Sequence, residues 1–128
     1  MKISILIPAH NEEQSISECI DSCLDQTRPA DEVIVVNDGS TDNTPILLAF
    51  FCDAINVVDV YPNTGNKSQA QQIGLQNVTG DVFIATDADT LMDRDFVRRV
   101  EEDFLADPSI VAVGGYIKSL QHNWLTAC

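Results

Sequence analysis

Basic side chains are what this sequence has least of. Against 20 aspartates and glutamates stand 7 lysines and arginines, giving a formal net charge of −13 and a sequence pI near 4.1. A chain so poor in cations lacks the basic face that holds nucleic acid or an anionic membrane by broad electrostatics. Aromatic residues are also scarce, at 6%. No apolar run approaches the length that spans a bilayer. The opening run Ile3–Ile7 is too short for a signal-peptide core and is closed by Pro8. The 4 cysteines form no framework: there is no CxxC pair and no His–Cys cluster. Cys19 and Cys23 fall on one apolar helical stripe, where free cysteine acts as a small buried hydrophobe. The expectation is a soluble, cytoplasmic segment in a reducing compartment. What is present is a chain of 128 residues, 45% hydrophobic, which suits one domain with a buried core and is too apolar for disorder.

Short β-rich runs alternate with stretches of helical period. Ile3–Ile7 reads as a strand stopped by Pro8, and Ile16, Cys19, Ile20, Cys23 and Leu24 mark an amphipathic helix ending before Pro29. Glu32–Val36 is a second strand, followed by the turn Asn37-Asp38-Gly39-Ser40-Thr41-Asp42 and a helix over about 43–52, with Pro45 in its first turn. Ile55–Val60 gives a third strand, 68–77 a helix, and Asp81–Ala85 a fourth strand. Asp93 is the expected N-cap of a helix carrying Phe96, Val97, Val100, Phe104 and Leu105, and Ile110–Val113 reads as a fifth strand before Gly114-Gly115. Strands rich in Val and Ile, each followed by a helix, imply an α/β fold: an open, mostly parallel, Rossmann-like sheet with flanking helices.

Ligands of such sheets bind outside the carboxyl ends of the strands. The residues at those ends are His10, Asn11, Glu12 and Glu13; Asn37, Asp38, Gly39 and Ser40; Asn63, Gly65, Asn66 and Lys67; and Thr86, Asp87, Ala88 and Asp89. Carboxylates and amides thus gather on one sheet edge. Asp87-Ala88-Asp89 follows the buried run Val82-Phe83-Ile84-Ala85. Two carboxylates so placed can share a cleft with a hard divalent cation, Mg2+ or Mn2+, whose shell phosphate oxygens and water complete. The same pair can equally cap a helix from a polar turn. Asp38 either stabilises its Asp-Gly turn or accepts hydrogen bonds from a nucleotide. Lys67 is a solvated lysine or a phosphate contact, His10 reads as a polar loop residue, and Glu12 and Glu13 can be first-turn acids favoured by the helix dipole.

Four segments, in order, resemble the nucleotide-sugar-dependent glycosyltransferases of family 2, the inverting, metal-dependent group with the GT-A fold. They are Ser4–Glu13, with its Pro-x-x-Asn-Glu turn; Glu32–Thr44; Asn63–Ser68 leading into Ala70 and Ile73-Gly74-Leu75; and Gly80–Thr90, which carries the DxD. The likeness covers residues 3 to 115. It implies that Pro8, Glu12 or Glu13, and Asp38 line a nucleoside pocket, with Asp38 receiving hydrogen bonds from the base, most often uracil. It implies further that Lys67 lies near the base or diphosphate, that Asp87 lies toward the ribose, and that Asp89 holds the metal. The implied partners are a UDP-sugar donor and an unspecified saccharide or lipid-linked acceptor.

The departures concern the other half of the reaction. An inverting transferase needs a general base for the acceptor hydroxyl, which this family carries well downstream of the DxD. No Asp or Glu follows Asp107, and Trp124 lacks the preceding Gln-x-x-Arg of processive members. Residues 1–128 are therefore expected to be a nucleotide-sugar-binding domain without the base or the acceptor half, incomplete at its C-terminus, with membrane association only through further segments. The alternative is a non-catalytic nucleotide-binding module. A phosphatase using the first Asp of a DxD is disfavoured because the motif sits on the fourth strand. A dinucleotide dehydrogenase is disfavoured because the first turn lacks Gly-x-Gly-x-x-Gly.

Overall fold

Runs of Val and Ile that are buried on both faces set the architecture. A computed structural model of the chain describes residues 1–107, 109, 117–119 and 125–126. The expected fifth strand Ile110–Val113, Gly114-Gly115 and Trp124 lie outside the described residues. In chain order the elements are β1 (Ile3–Ala9), α1 (Ile16–Leu24), β2 (Glu32–Asp38), α2 (Thr44–Ala49), β3 (Asn56–Val60) and α3 (Lys67–Leu75). There follow β4 (Val82–Ala85), β5 (Thr90–Leu91), α4 (Phe96–Ala106), β6 (Ile117–Ser119) and β7 (Leu125–Thr126).

β1 to β4 form one parallel sheet in the order β3-β2-β1-β4, with Ile5 opposite Val33 on one side and Ile84 on the other. Strand alternation sends Ile3, Ile5, Ile7, Val33 and Val35 to the face covered by Ile16, Cys19, Ile20 and Cys23 of α1, Leu48 of α2, and Val97 and Val100 of α4. Leu6, Ile34 and Val36 take the other face, under Ala70 of α3. The core reading of Cys19 and Cys23 agrees with their burial as free thiols. Among the described residues, no helix is long and apolar enough to cross a membrane.

Pro8 does not stop β1, which continues to Ala9 with Pro8 opposite Val36. β4 reaches only Ala85, opposite Leu6, so beyond that point β1 is flanked on one side and a missing N–H removes no rung there. Asp93 is not the α4 N-cap. The helix begins two residues later than that cap implies, after Asp95, and the Asp93 carboxylate accepts the Asp95 N–H at 2.9 Å. In place of a local cap, Gln26 Oε1 reaches across from the end of α1 to accept the Val97 N–H at 3.1 Å. β5, β6 and β7 form a small antiparallel sheet that the sequence reading lacked.

Candidate functional site

The chain passes from β3, at one edge of the sheet, to β4 on the far side of β1, so strand order reverses beside β1. Crevices form at the carboxyl end of such a reversal. Here a cleft of about 370 Å³ takes Pro8, His10 and Glu12 from the end of β1, Asp38 from β2, Asn63 and Lys67 from the loop after β3, and Asp87 and Asp89 from beyond β4.

One wall is fastened by Asp38. Its carboxylate is buried and accepts the Thr64 N–H at 2.9 Å and the Thr64 hydroxyl at 2.6 Å. Its carbonyl accepts from Asn63 Nδ2 at 2.7 Å and lies 2.7 Å from His10 Nδ1. Asn63 Oδ1 accepts the Gly65 N–H at 2.6 Å, which fixes the amide orientation and turns Asn63 Nδ2 toward both the Asp38 carbonyl and His10 Nδ1, the latter 2.9 Å away. His10 is therefore part of the wall rather than a plain loop residue. A carboxylate offers about four lone-pair sites, so Asp38 retains acceptor capacity beyond Thr64. Gly39 follows at φ +62, where an added Cβ would stand 2.6 Å from Asn63 N. Asp38 lies in the cleft, and its carboxylate fastens the loop after β3 rather than its own Asp-Gly turn.

Asn66 caps α3 by accepting the Ser68 N–H at 2.7 Å, which sets Lys67 at the first helical position. The Lys67 ammonium pairs with the Asp87 carboxylate across the cleft mouth, both side chains about half exposed.

The opposite wall is the turn after β4. Thr86 N–H donates to the Leu6 carbonyl at 3.0 Å, continuing the β1 pairing by one rung. Ala88 is 3% exposed and packs in the core, while Asp87 and Asp89 on either side of it line the cleft. Neither aspartate caps a helix, since the next element is β5.

The adjacent glutamates separate. Glu12 lines the cleft, and burial first, then the charges of Asp89 and Asp87, hold its carboxyl above the usual range against the opposing hydrogen bond from Ser15. Glu13 does not line it. It is exposed, its N–H donates to Asp42 at 3.2 Å and its carboxylate accepts the Asn43 N–H at 3.3 Å, beside the start of α2. The helix-dipole reading fails for both, because α1 begins at Ile16 and its first-turn acid is Glu18. Thr64 and Ser15 were not singled out in the sequence; the Asn-Thr-Gly turn after the third strand was the available signal for Thr64.

The donor set is all hard oxygen. Among the described residues no group of three His, Cys, Asp or Glu is placed to hold a metal ion, so Asp87 and Asp89 offer a partial shell. That fits Mg2+ or Mn2+, which typically take one or two carboxylates and leave positions for phosphate and water. Lys67 is the one lysine or arginine among the described cleft residues.

The family profile described as glycosyl transferase family 2 matches residues 4–127. The chain belongs to that family. Poly-beta-1,6-N-acetyl-D-glucosamine synthase of Staphylococcus epidermidis, a relative of this family 2 chain, is 33% identical over 115 residues, covering 88% of this chain and 28% of the synthase. Among solved structures, a mannosyltransferase from Pyrobaculum calidifontis in complex with GDP-Man and Mn2+ has a TM-score of 0.75 at 29% identity, covering 85% of this chain and 33% of that one. Glucosyl-3-phosphoglycerate synthase from Mycobacterium tuberculosis in complex with Mn2+, UDP and phosphoglyceric acid has a TM-score of 0.65 at 30% identity, covering 83% and 39%. This family 2 chain has the GT-A fold of such enzymes and spans well under half the length of each of these three.

Proposed function

We propose that these 128 residues bind the donor of an inverting, metal-dependent glycosyl transfer, a nucleoside diphosphate sugar with uridine as the base, in polysaccharide or glycoconjugate synthesis. The observation that carries this reading is the meeting of Asp38, Lys67, Asp87 and Asp89 in one cleft at the strand-order reversal. Related structures holding Mn2+ with UDP or with GDP-Man support a divalent ion and a nucleotide donor.

In this reading Asp38 accepts from the base with the lone pairs Thr64 leaves open. Lys67 moves from Asp87 to the diphosphate, which frees Asp87 for a ribose hydroxyl. Asp89 holds Mg2+ or Mn2+, which when bound supplies Lewis-acid stabilisation of the departing diphosphate. The buried methyl of Ala88 keeps both aspartates turned outward. The proton of the acceptor hydroxyl goes to a general base carried by residues beyond these, and the acceptor is a saccharide or a lipid-linked sugar.

Calorimetric titration with UDP, and with GDP as comparator, tests the assignment. Mn2+ should tighten UDP binding by about tenfold or more relative to a chelator-treated sample, and UDP should tighten Mn2+ by the same factor. Asp89→Ala should abolish the coupling. A folded protein that binds UDP equally with and without metal, or not at all, contradicts the reading. Sugar transfer by the isolated chain would exclude a purely non-catalytic module.

A further inference from the structure

α1 and the residues that flank it carry a stripe of hydrogen-bonding side chains that shares Cys19 with the apolar one. Ser15, Cys19, Ser22 and Gln26 recur at steps of four, three and four, the spacing of one helical face. Each bonds to the backbone of the segment after β4. Ser15 Oγ donates to the Ala88 carbonyl at 3.1 Å and Cys19 Sγ to the Asp87 carbonyl at 3.4 Å. Ser22 Oγ accepts the Met92 N–H at 2.9 Å, and Gln26 Nε2 donates to the Asp93 carbonyl at 2.7 Å.

Two features single out the first pair. Ser15 occupies the N-cap of α1 yet makes no side-chain cap bond, although a serine there ordinarily accepts an N–H of the first turn. Its one hydroxyl proton is shared instead between the Ala88 carbonyl at 3.1 Å and, at the longer distance of 3.4 Å, the Glu12 carboxylate. The two carbonyls also belong to the two peptide groups joining Asp87 to Asp89. A peptide group is planar, so holding both carbonyls fixes the planes on either side of Ala88 and hence the directions in which the flanking aspartates leave the backbone. The Asp87 carbonyl is further held by the Thr90 hydroxyl at 2.8 Å. The Ala88 carbonyl has Ser15 as its side-chain donor.

We propose that Ser15, assisted by Cys19, is a positioning residue for the Asp87–Asp89 turn, aiming Asp89 at the metal position and Asp87 toward the nucleotide. This rests on the reading of the cleft as a metal–diphosphate site. Neither side chain touches the ligand; α1 acts as a template for the turn that does.

Mn2+ affinity of the whole chain, read from the paramagnetic resonance of free Mn2+, is measured for wild type, Ser15→Ala, Ser15→Ala with Cys19→Ala, Ser15→Thr and Ser22→Ala, with a thermal melt of each. The double variant should bind Mn2+ about tenfold more weakly, as expected for two modest hydrogen bonds, while keeping a cooperative melt. Ser15→Thr, which keeps the hydroxyl, should restore affinity. Ser22→Ala, which touches Met92 rather than the aspartate turn, should lower the melting temperature without weakening Mn2+. A folded double variant with wild-type Mn2+ affinity overturns the proposal, as does equal weakening by Ser22→Ala. Failure of wild type to bind Mn2+ overturns the underlying metal reading, a result distinct from either. Should the double variant not fold, Ser15→Ala alone decides by the same criterion.

Discussion

Replacing Gly39 by alanine separates two costs that the structure combines at one residue. The backbone there has φ +62, and an L residue in the left-handed region costs about 1–2 kcal/mol. The new methyl would also stand 2.6 Å from Asn63 N and 2.7 Å from Asn63 Cα. Those are backbone atoms that cannot rotate away, and such overpacking costs about 1–3 kcal/mol. Gly65 supplies the control: its φ is +73, but an added Cβ meets nothing nearer than Asn63 Oδ1 at 3.8 Å, so Gly65→Ala should show the conformational cost alone. Urea denaturation should therefore place Gly39→Ala below Gly65→Ala by about 1–3 kcal/mol. Relief of the strain separates residue 39 from the 63–65 loop, which strains the bonds from Asn63 and Thr64 to Asp38. UDP affinity in Mn2+ should accordingly fall further for Gly39→Ala than for Gly65→Ala. Equal stability and equal affinity of the two variants would refute the claim that Asp38 and the 63–65 loop form one wall.

Gln26→Ala leaves the α4 Val97 N–H without its partner, while the Asp93 carbonyl keeps the Phe96 N–H, and chemical denaturation should show a loss of about 1–3 kcal/mol. The Ile3 N–H, and then the Arg28 guanidinium, hold the Asp31 carboxyl below the usual range. A depressed carboxyl stabilises the fold above its unfolded pKa and loses that contribution as pH falls through the folded value. Between about pH 5 and pH 2.5 the melting temperature of wild type should therefore drop further than that of Asp31→Asn. Lys67→Met removes an exposed ion pair with Asp87, so stability should change by no more than about 1 kcal/mol, while UDP binding in Mn2+ weakens; unchanged binding would remove Lys67 from the site.

Much of the sheet was legible because its determinants are local. Glu32-Val33-Ile34-Val35-Val36 reads as a doubly buried strand from residue type alone, and α1, at Ile16–Leu24, carries the expected apolar stripe and ends before Pro29. Elements set by distant partners were not legible. β5 is two residues long and is defined by pairing with Ser119 and Lys118, and the effective cap of α4 comes from Gln26, 71 residues away. The site shows the same division. Placement of carboxylates at strand ends located Asp38, Asp87 and Asp89, because strand topology fixes which ends meet. Glu12 and Glu13 belong to no element with a period, so spacing gave no orientation; bonds to Thr44, Asp42 and Asn43 decide it. The Thr64 contact to Asp38 depends on how a turn folds back over 26 residues, which no local pattern encodes.

The central claim is that Asp89 seats a divalent ion against a nucleotide's diphosphate. Anomalous diffraction at the manganese edge, from crystals grown with UDP and Mn2+, tests it without intermediaries. The expected result is a single Mn2+ peak within coordination distance of both the Asp89 carboxylate and the diphosphate, with Lys67 withdrawn from Asp87. UDP bound in the cleft with no Mn2+ at Asp89, or Mn2+ bound away from the diphosphate, would contradict it.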